Sequence, residues 1–257
     1  MIELPKTKLK ADRINPQTMV IFSQPKMGKT TVISKLDNCL LLDFEDGSHF
    51  VDALKINVVE QAREDKKKPI VTLKHIINAI KEENEQTGEY VYKYIAVDTV
   101  TALEEIVLPL ANNMYKATNM GRNWVGDDVT TLPNGAGYKY TRDALSHVLN
   151  ELEQLCETLI ILGHVKDRLI EREGKEMPER GLALTGKSSS ILCSQVDAVG
   201  YLYRDNNKTI INFASSPNLL AGARCEHLKG QEIVIATSEP ETTEITVDWT
   251  KIFLIEK

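Results

Sequence analysis

Thr18-Met19-Val20-Ile21-Phe22, followed by Ser23-Gln24-Pro25-Lys26-Met27-Gly28-Lys29-Thr30, is the stretch that decides the fold. The first part is an apolar run with the length of a buried strand. The second matches G-x-x-x-x-G-K-[ST], except that Ser23 stands where the first glycine is expected. That pattern turns the backbone so that its N–H groups point inward at phosphates. Lys29 is placed to reach the outer phosphates and Thr30 to offer its hydroxyl to a magnesium ion. A short helix from residue 29 to about 36 adds its positive dipole end. Ser23 fits the first position if its φ is negative. The candidate nucleotide-binding residues are Ser23, Gln24, Pro25, Lys26, Met27, Gly28, Lys29, Thr30 and Thr31.

Outward from this loop the chain alternates apolar runs with helical periodicity. Residues 39–44 (CLLLDF), 92–97 (YKYIAV) and 159–162 (LIIL) read as buried strands. Residues 73–85 carry Leu73, Ile76, Ile77 and Ile80 on one helical face. A helix is expected over 101–116, bent at Pro109, and another along Leu145, Val148, Leu149, Leu152 and Leu155. Residues 196–203 and 208–213 form an expected hairpin around Asp205-Asn206-Asn207. The pattern predicts an α/β fold: a mostly parallel central sheet, helices on both faces and a C-terminal β-hairpin region. One domain over residues 1–257 is expected, with a lead-in at 1–16 and a strand extension at 227–257. Residues 63–68 (REDKKK) read as a solvated loop.

Several strand ends carry chemistry. Asp98 closes an apolar strand, where a carboxylate can order Mg²⁺ or cap the next helix. Asp43-Phe44-Glu45-Asp46 closes the strand after the loop's helix, where an acid can orient or deprotonate water. His164 closes the LIIL strand, as a phosphate sensor or as an ordinary loop residue. Residues 119–140 and 166–190 read as two long polar loops, a length usually associated with function or mobility.

Composition narrows the classes. The net charge of −6 removes any bulk attraction to nucleic acid, so such contact needs a local patch. No apolar stretch is long enough to span a membrane, and the first residues lack a secretory h-region. The four cysteines, Cys39, Cys156, Cys193 and Cys225, form no C-x-x-C pair and read as free thiols of a reducing cytosol.

Taken in order, these pieces resemble the RecA-type ATPase core. CLLLDFED is similar to the RecA-family strand that ends in the catalytic glutamate, which falls on Glu45. YIAVDTVTAL resembles the Walker B strand, with Asp98 at the magnesium position. LIILGHVKD resembles the RadA-like sensor strand, with His164 where RecA has glutamine. Val196-Asp197-Ala198-Val199 resembles the strand after the second DNA-binding loop. RadA and DnaB relatives then carry K-x-R, a motif that reaches a neighbouring subunit's nucleotide. Here the counterpart is Gly222-Ala223-Arg224, which keeps the arginine and loses the lysine. With Leu4-Pro5-Lys6 and P-K-x-G-K-T, the layout resembles compact phage-encoded RecA-like AAA proteins, some of them single-strand annealing recombinases.

The resemblance spans about residues 16–226 and implies a Mg-dependent ATPase. Its catalytic set is Lys29, Glu45, His164 and Arg224, and its metal set Thr30 and Asp98. It implies single-stranded DNA as partner, self-assembly into a ring or filament, work beside a single-strand-binding protein, and a cytoplasmic location in a phage's host. The DNA-holding loops of the family fall on the two polar segments. The first carries Lys116, Arg122, Trp124, Tyr138 and Lys139. The second carries Lys166, Arg168, Arg172, Lys175, Arg180 and Lys187, interleaved with acids, a mixture that fits either DNA contact or a solvated loop. Trp124 is expected to stack on bases or to pack on another subunit. Alternatives are a nucleotide-gated annealing module with little hydrolysis, a hexameric helicase core and a small-molecule kinase.

Overall fold

Every residue of Thr18–Ser23, Cys39–Asp43 and Tyr94–Asp98 is buried, as strands covered on both faces of a sheet must be. The computed structural model describes residues 4, 6–8, 10–172, 175–239 and 244–255. Pro5 of the Leu4-Pro5-Lys6 motif and the side chains of Arg172 and Lys175 lie outside what it describes. The first half runs β1 (Thr18–Ser23), α1 (Lys29–Ile33), β2 (Cys39–Asp43), β3 (Leu54–Asn57), α2 (Val58–Glu64), α3 (Pro69–Thr87), β4 (Tyr94–Asp98), α4 (Val100–Ile106) and α5 (Leu108–Lys116). It continues with α6 (Ala136–Glu153), β5 (Thr158–Arg172), β6 (Lys175–Leu182), α7 (Ser188–Gln195), β7 (Ala198–Asp205), β8 (Lys208–Asn212), β9 (Gly222–Ala223), β10 (Glu232–Ser238) and β11 (Ile245–Val247).

The main sheet has the order β11-β10-β8-β7-β1-β5-β4-β2-β3. Strands β3, β2, β4, β5, β1 and β7 are parallel, while β8, β10 and β11 add an antiparallel edge. The expected α/β fold with its C-terminal hairpin region is therefore the observed one. Coverage of the two faces is unequal. One face packs against α2 to α6, through Val58, Leu73, Ile77, Leu103, Ala111, Leu145 and Leu152 among others. The other is closed by α1 and by the C-terminal segment, through Val32, Ile33, Leu228, Trp249, Ile252 and Phe253.

Local chemistry explains where the elements stop. Helix α1 is shorter than the expected 29–36, because the Trp249 indole N–H donates to the Val32 carbonyl at 2.9 Å and the chain tightens there. Pro69 opens α3 and Gly88, at φ 74°, closes it, so the helix outruns the expected 73–85 at both ends. The bend expected at Pro109 is a break at Val107, with the proline in the first turn of α5. Asn57 caps α2 by accepting from the Glu60 N–H at 2.9 Å.

Three corrections concern the loops. Residues 166–190 are not one polar loop: β5 runs on past His164 and pairs with β6 as a hairpin outside the main sheet, and α7 follows. The hairpin is built from opposite charges placed across from each other, Asp167 with Arg180 at 3.0 Å and Arg168 with Glu179 at 3.3 Å. The first polar segment ends at residue 135, which puts Tyr138 and Lys139 on α6. Finally, residues 63–64 of the charged run finish α2 rather than belonging to a loop.

Candidate nucleotide site

The strand register gathers the motifs on one edge of the sheet. Ser23 lies opposite His164, Asp98 is level with Leu162, and Asp43 is beside Asp98. This is the carboxyl end of the parallel strands, where β1 sits between β5 and β7 and the chain order reverses. Open α/β sheets bind ligands at such a switch point.

At the loop itself, Ser23 is fully buried and its φ is not positive. Its hydroxyl accepts a hydrogen bond from the Lys29 ammonium at 3.0 Å and donates to the Gln24 carbonyl at 2.8 Å. The residue that breaks the glycine pattern thus holds the loop's lysine. Lys26 and Gly28 take positive φ, 64° and 96°. Burial lowers the Lys29 pKa, opposed by the nearby carboxylates of Asp98 and Glu45. The Thr30 hydroxyl donates to an Asp98 oxygen at 2.6 Å. Burial pushes the Asp98 carboxyl up to about 6, against the bond from Thr30. A buried carboxylate beside a hydroxyl is a set of hard oxygens short of positive charge, and it fits Mg²⁺ shared with phosphate oxygens and water. Among the described residues no cluster of three or more His, Cys, Asp or Glu side chains forms a self-sufficient metal cage.

Asp43 has a different job from its neighbours. It is buried and accepts from the backbone N–H groups of Glu45 (2.9 Å) and Ser48 (2.8 Å), fixing the turn that carries Glu45. The Glu45 carboxylate takes the Thr99 hydroxyl at 2.5 Å and His164 Nε2 at 2.9 and 3.1 Å. The His164 bond is the chief cause of a lowered Glu45 pKa, working against partial burial. His164 Nε2 faces a carboxylate, which only accepts, so Nε2 is the donor in this contact, while Nδ1 is buried without a partner among the described residues.

His164 also begins the hairpin. Its backbone N–H donates to Thr101 Oγ1 at 3.3 Å, and that hydroxyl donates to the Ala183 carbonyl at 3.2 Å, where β6 returns. Gly163 leaves room for the buried Leu182, whose Cδ1 a Cβ there would meet at 2.2 Å. One turn along α4, buried Glu104 accepts from the Thr185 N–H and hydroxyl at 3.0 and 2.8 Å. The helix after Asp98 therefore grips both the base of the hairpin and the segment leading to α7.

The remaining expected site residues fall into two groups. Lys166 and Lys187 are exposed, with no ion pair among the described residues, and Arg122 is exposed beside Asn119. The others are engaged within the chain. Arg168 bonds Glu179 and Ser189, Lys139 bonds Asp143, and Lys116 lies 5.4 Å from the Trp124 ring centroid. Trp124 packs edge-on against Tyr115 at 5.2 Å, so its partner is in its own chain. Tyr138, at the start of α6, approaches Gly186 and so brings the two polar segments side by side.

Arg224 is not with the other catalytic candidates. It donates to the Ser194 and Gln195 carbonyls at 2.7 and 3.1 Å and lies 3.4 Å from Asp197, whose carboxylate accepts from Gln17 and Thr18. That is the opposite end of β1, roughly 20 Å from the phosphate loop at strand rise. The arginine that does reach the loop in this chain is Arg204, at the end of β7. Sequence reading missed it, because only the β1–β7 pairing brings the two together.

With the geometry in place, the sequence comparisons agree with it. Residues 15–243 match the model of the AAA domain family, and the chain belongs to that family. It is a P-loop nucleotide-binding protein of the ATPase class that this family and fold define. No curated protein matches the chain by sequence. Among solved structures, it is similar to a KaiC-like protein from Pyrococcus horikoshii OT3, at 12% identity and a TM-score of 0.42, covering 90% of this chain and 88% of that one. It is also similar to the RadB recombinase, at 12% identity and a TM-score of 0.41, covering 85% and 86%.

Proposed function

We propose that this protein is a Mg²⁺-dependent ATPase of RecA type that assembles with itself and acts on single-stranded DNA. The observation that carries the reading is the unbroken path from Glu45 through His164 into a hairpin bearing Lys166, which has no ion pair among the described residues. In this reading the loop from Ser23 to Thr31 holds the phosphates, with Lys29 on the outer ones. Thr30 and Asp98 hold Mg²⁺, which when bound supplies charge to the phosphate oxygens. Glu45 orients water toward the outer phosphate. Both Glu45 oxygens are held by Thr99 and His164, so the carboxylate is released only when His164 moves. DNA on the hairpin supplies that movement, with Arg122, Lys166 and Lys187 on the phosphate backbone. Arg224, roughly 20 Å from its own loop, serves a neighbour's nucleotide in a ring or filament. Work in recombination, annealing or replication beside a single-strand-binding protein, in the cytoplasm of a phage's host, follows from the same reading. Among the described residues no helix is long and apolar enough to cross a membrane.

The second reading, a nucleotide-gated annealing module with little turnover, is favoured by that same capture of Glu45. Phosphate release from ATP, measured with and without Mg²⁺ and single-stranded DNA, separates the two. The ATPase reading expects Mg²⁺-dependent turnover that rises with DNA. Tight ATP binding without phosphate release would leave the annealing module standing.

A further inference from the structure

The phosphate loop has a second cation in its own chain. Strand β7 runs parallel to β1 with Phe22 level with Tyr201, so Arg204, still in β7, lies beyond the end of β1 at Ser23. Leu202 is in the core on the α1 face, and Arg204, two residues on, leaves the sheet on that side. There its guanidinium lies across Gly28: a Cβ on that glycine would stand 3.1 Å from Arg204 Nη2, 3.9 Å from Cζ and 4.0 Å from Nε. Gly28 therefore meets two demands, a φ of 96° and a close approach by an arginine.

Arg204 is exposed and has no hydrogen bond or ion pair among the described residues. The contrast with other arginines is informative: Arg63, Arg168, Arg180 and Arg224 all hold a carboxylate. On the sheet-edge side of the loop the charges are mostly negative, from Asp43, Asp98 and Glu45, with buried Lys29 among them. A triphosphate in the loop brings more negative charge than Lys29 and one Mg²⁺ cancel, and a planar guanidinium with free donors matches phosphate oxygens.

We propose that Arg204 contacts the phosphates of the bound nucleoside triphosphate from within the same chain, closing the loop on the Gly28 side. The proposal rests on the nucleotide-binding reading of the loop and adds a residue to it. It also separates two arginine roles: Arg204 binds in cis, and Arg224 is left to act only between chains.

The test is equilibrium titration of full-length protein with ATP, ADP and AMP, by competition against a ribose-labelled fluorescent ATP analogue. Wild type is compared with Arg204→Ala, Arg204→Gln and Arg204→Lys. Arg204→Ala and Arg204→Gln are expected to weaken ATP binding about tenfold, with a smaller loss for AMP, and Arg204→Lys to recover part of it. Melting without nucleotide should be unchanged in all three, since the side chain is exposed. ATP affinity unaltered in Arg204→Ala and Arg204→Gln would overturn the proposal. So would an equal loss for ATP and AMP, which would move the contact to the nucleoside. Failure of wild type itself to bind any of the nucleotides would instead defeat the underlying reading of the loop.

Discussion

The two polar segments look alike in sequence, yet the chain holds them in opposite ways. Residues 117–135 fold back on their own helices: Trp124 lies on Tyr115, and the Asn112 side chain accepts from the Val129 N–H at 2.8 Å. Residues 164–187 instead continue a central strand. Their first residue bonds Glu45, and their return is bonded to α4 through Thr101 and Glu104. A ligand that displaces the first segment disturbs local packing. One that displaces the second pulls on the carboxylate beside the phosphate loop. Polarity and length mark a segment as available for binding; continuity with a buried strand decides whether binding is felt at the site.

The largest expected effect tests that continuity. His164→Ala removes the group that holds Glu45, so ATP turnover without DNA should rise toward the DNA-stimulated rate and the stimulation by DNA, on the scale of up to about a hundredfold for a group that governs a general base, should be lost. Trp124→Ala should leave turnover at saturating DNA within about twofold and instead lower the unfolding free energy read from urea curves, by roughly 1–2 kcal/mol for a half-buried aromatic pair. Steady-state turnover and equilibrium unfolding of the same two variants decide the matter. Equal stimulation by DNA in the two variants would erase the distinction between the segments.

A middle-sized effect sharpens which cations meet DNA. Lys166→Ala with Lys187→Ala should weaken single-stranded DNA binding about tenfold and flatten the salt dependence by about 0.7 in log–log slope per lysine removed. Lys139→Ala should change the slope little, because its ammonium is already on Asp143 at 2.5 Å. Fluorescence anisotropy over a salt series reads both. A steeper loss from Lys139 than from the lysine pair would put DNA on the first turn of α6, next to the first segment.

Why the sequence could show one segment and not the other is a matter of which signals are local. The phosphate loop, Asp98 and Glu45 each sit at the end of an apolar run, so burial of the strand fixes where the polar residue emerges. The β5–β6 hairpin has no such run, because its strands are held by cross-strand charge pairs and stay half exposed. A signal was present: Asp167 and Arg168 mirror Arg180 and Glu179 about Glu173-Gly174, the pattern of a hairpin with opposite charges facing. Strand β3, with exposed Leu54 and Lys55 at the sheet edge, gives no periodicity either. Arg204 and the hold of Ser23 on Lys29 depend on pairings and distances that no short window contains. The lone tryptophan of the first segment was readable as needing a partner, but not as having it nine residues earlier in Tyr115.

The smallest effect concerns pH, and it separates the two contacts by their chemistry. Bonding by His164 lowers the Glu45 pKa in the folded chain, with Thr99 and Lys29 acting in the same direction against burial. A carboxyl whose folded pKa is depressed contributes stability above its unfolded value, near 4.5, and loses it as pH falls through the folded value. A double-mutant cycle of Glu45→Gln and His164→Ala, read by urea unfolding, should therefore give a coupling at pH 7 that shrinks toward zero at pH 3. For a pair this exposed its size is roughly 0.2–1 kcal/mol. The parallel cycle on Tyr115 and Trp124, a contact between two uncharged rings, should give the same coupling at both pH values. If the Glu45–His164 coupling survives acid unchanged, the hairpin is tied to the site by packing around Gly163 and Leu182 rather than by the carboxylate. DNA on the hairpin could then not free Glu45 by breaking that bond.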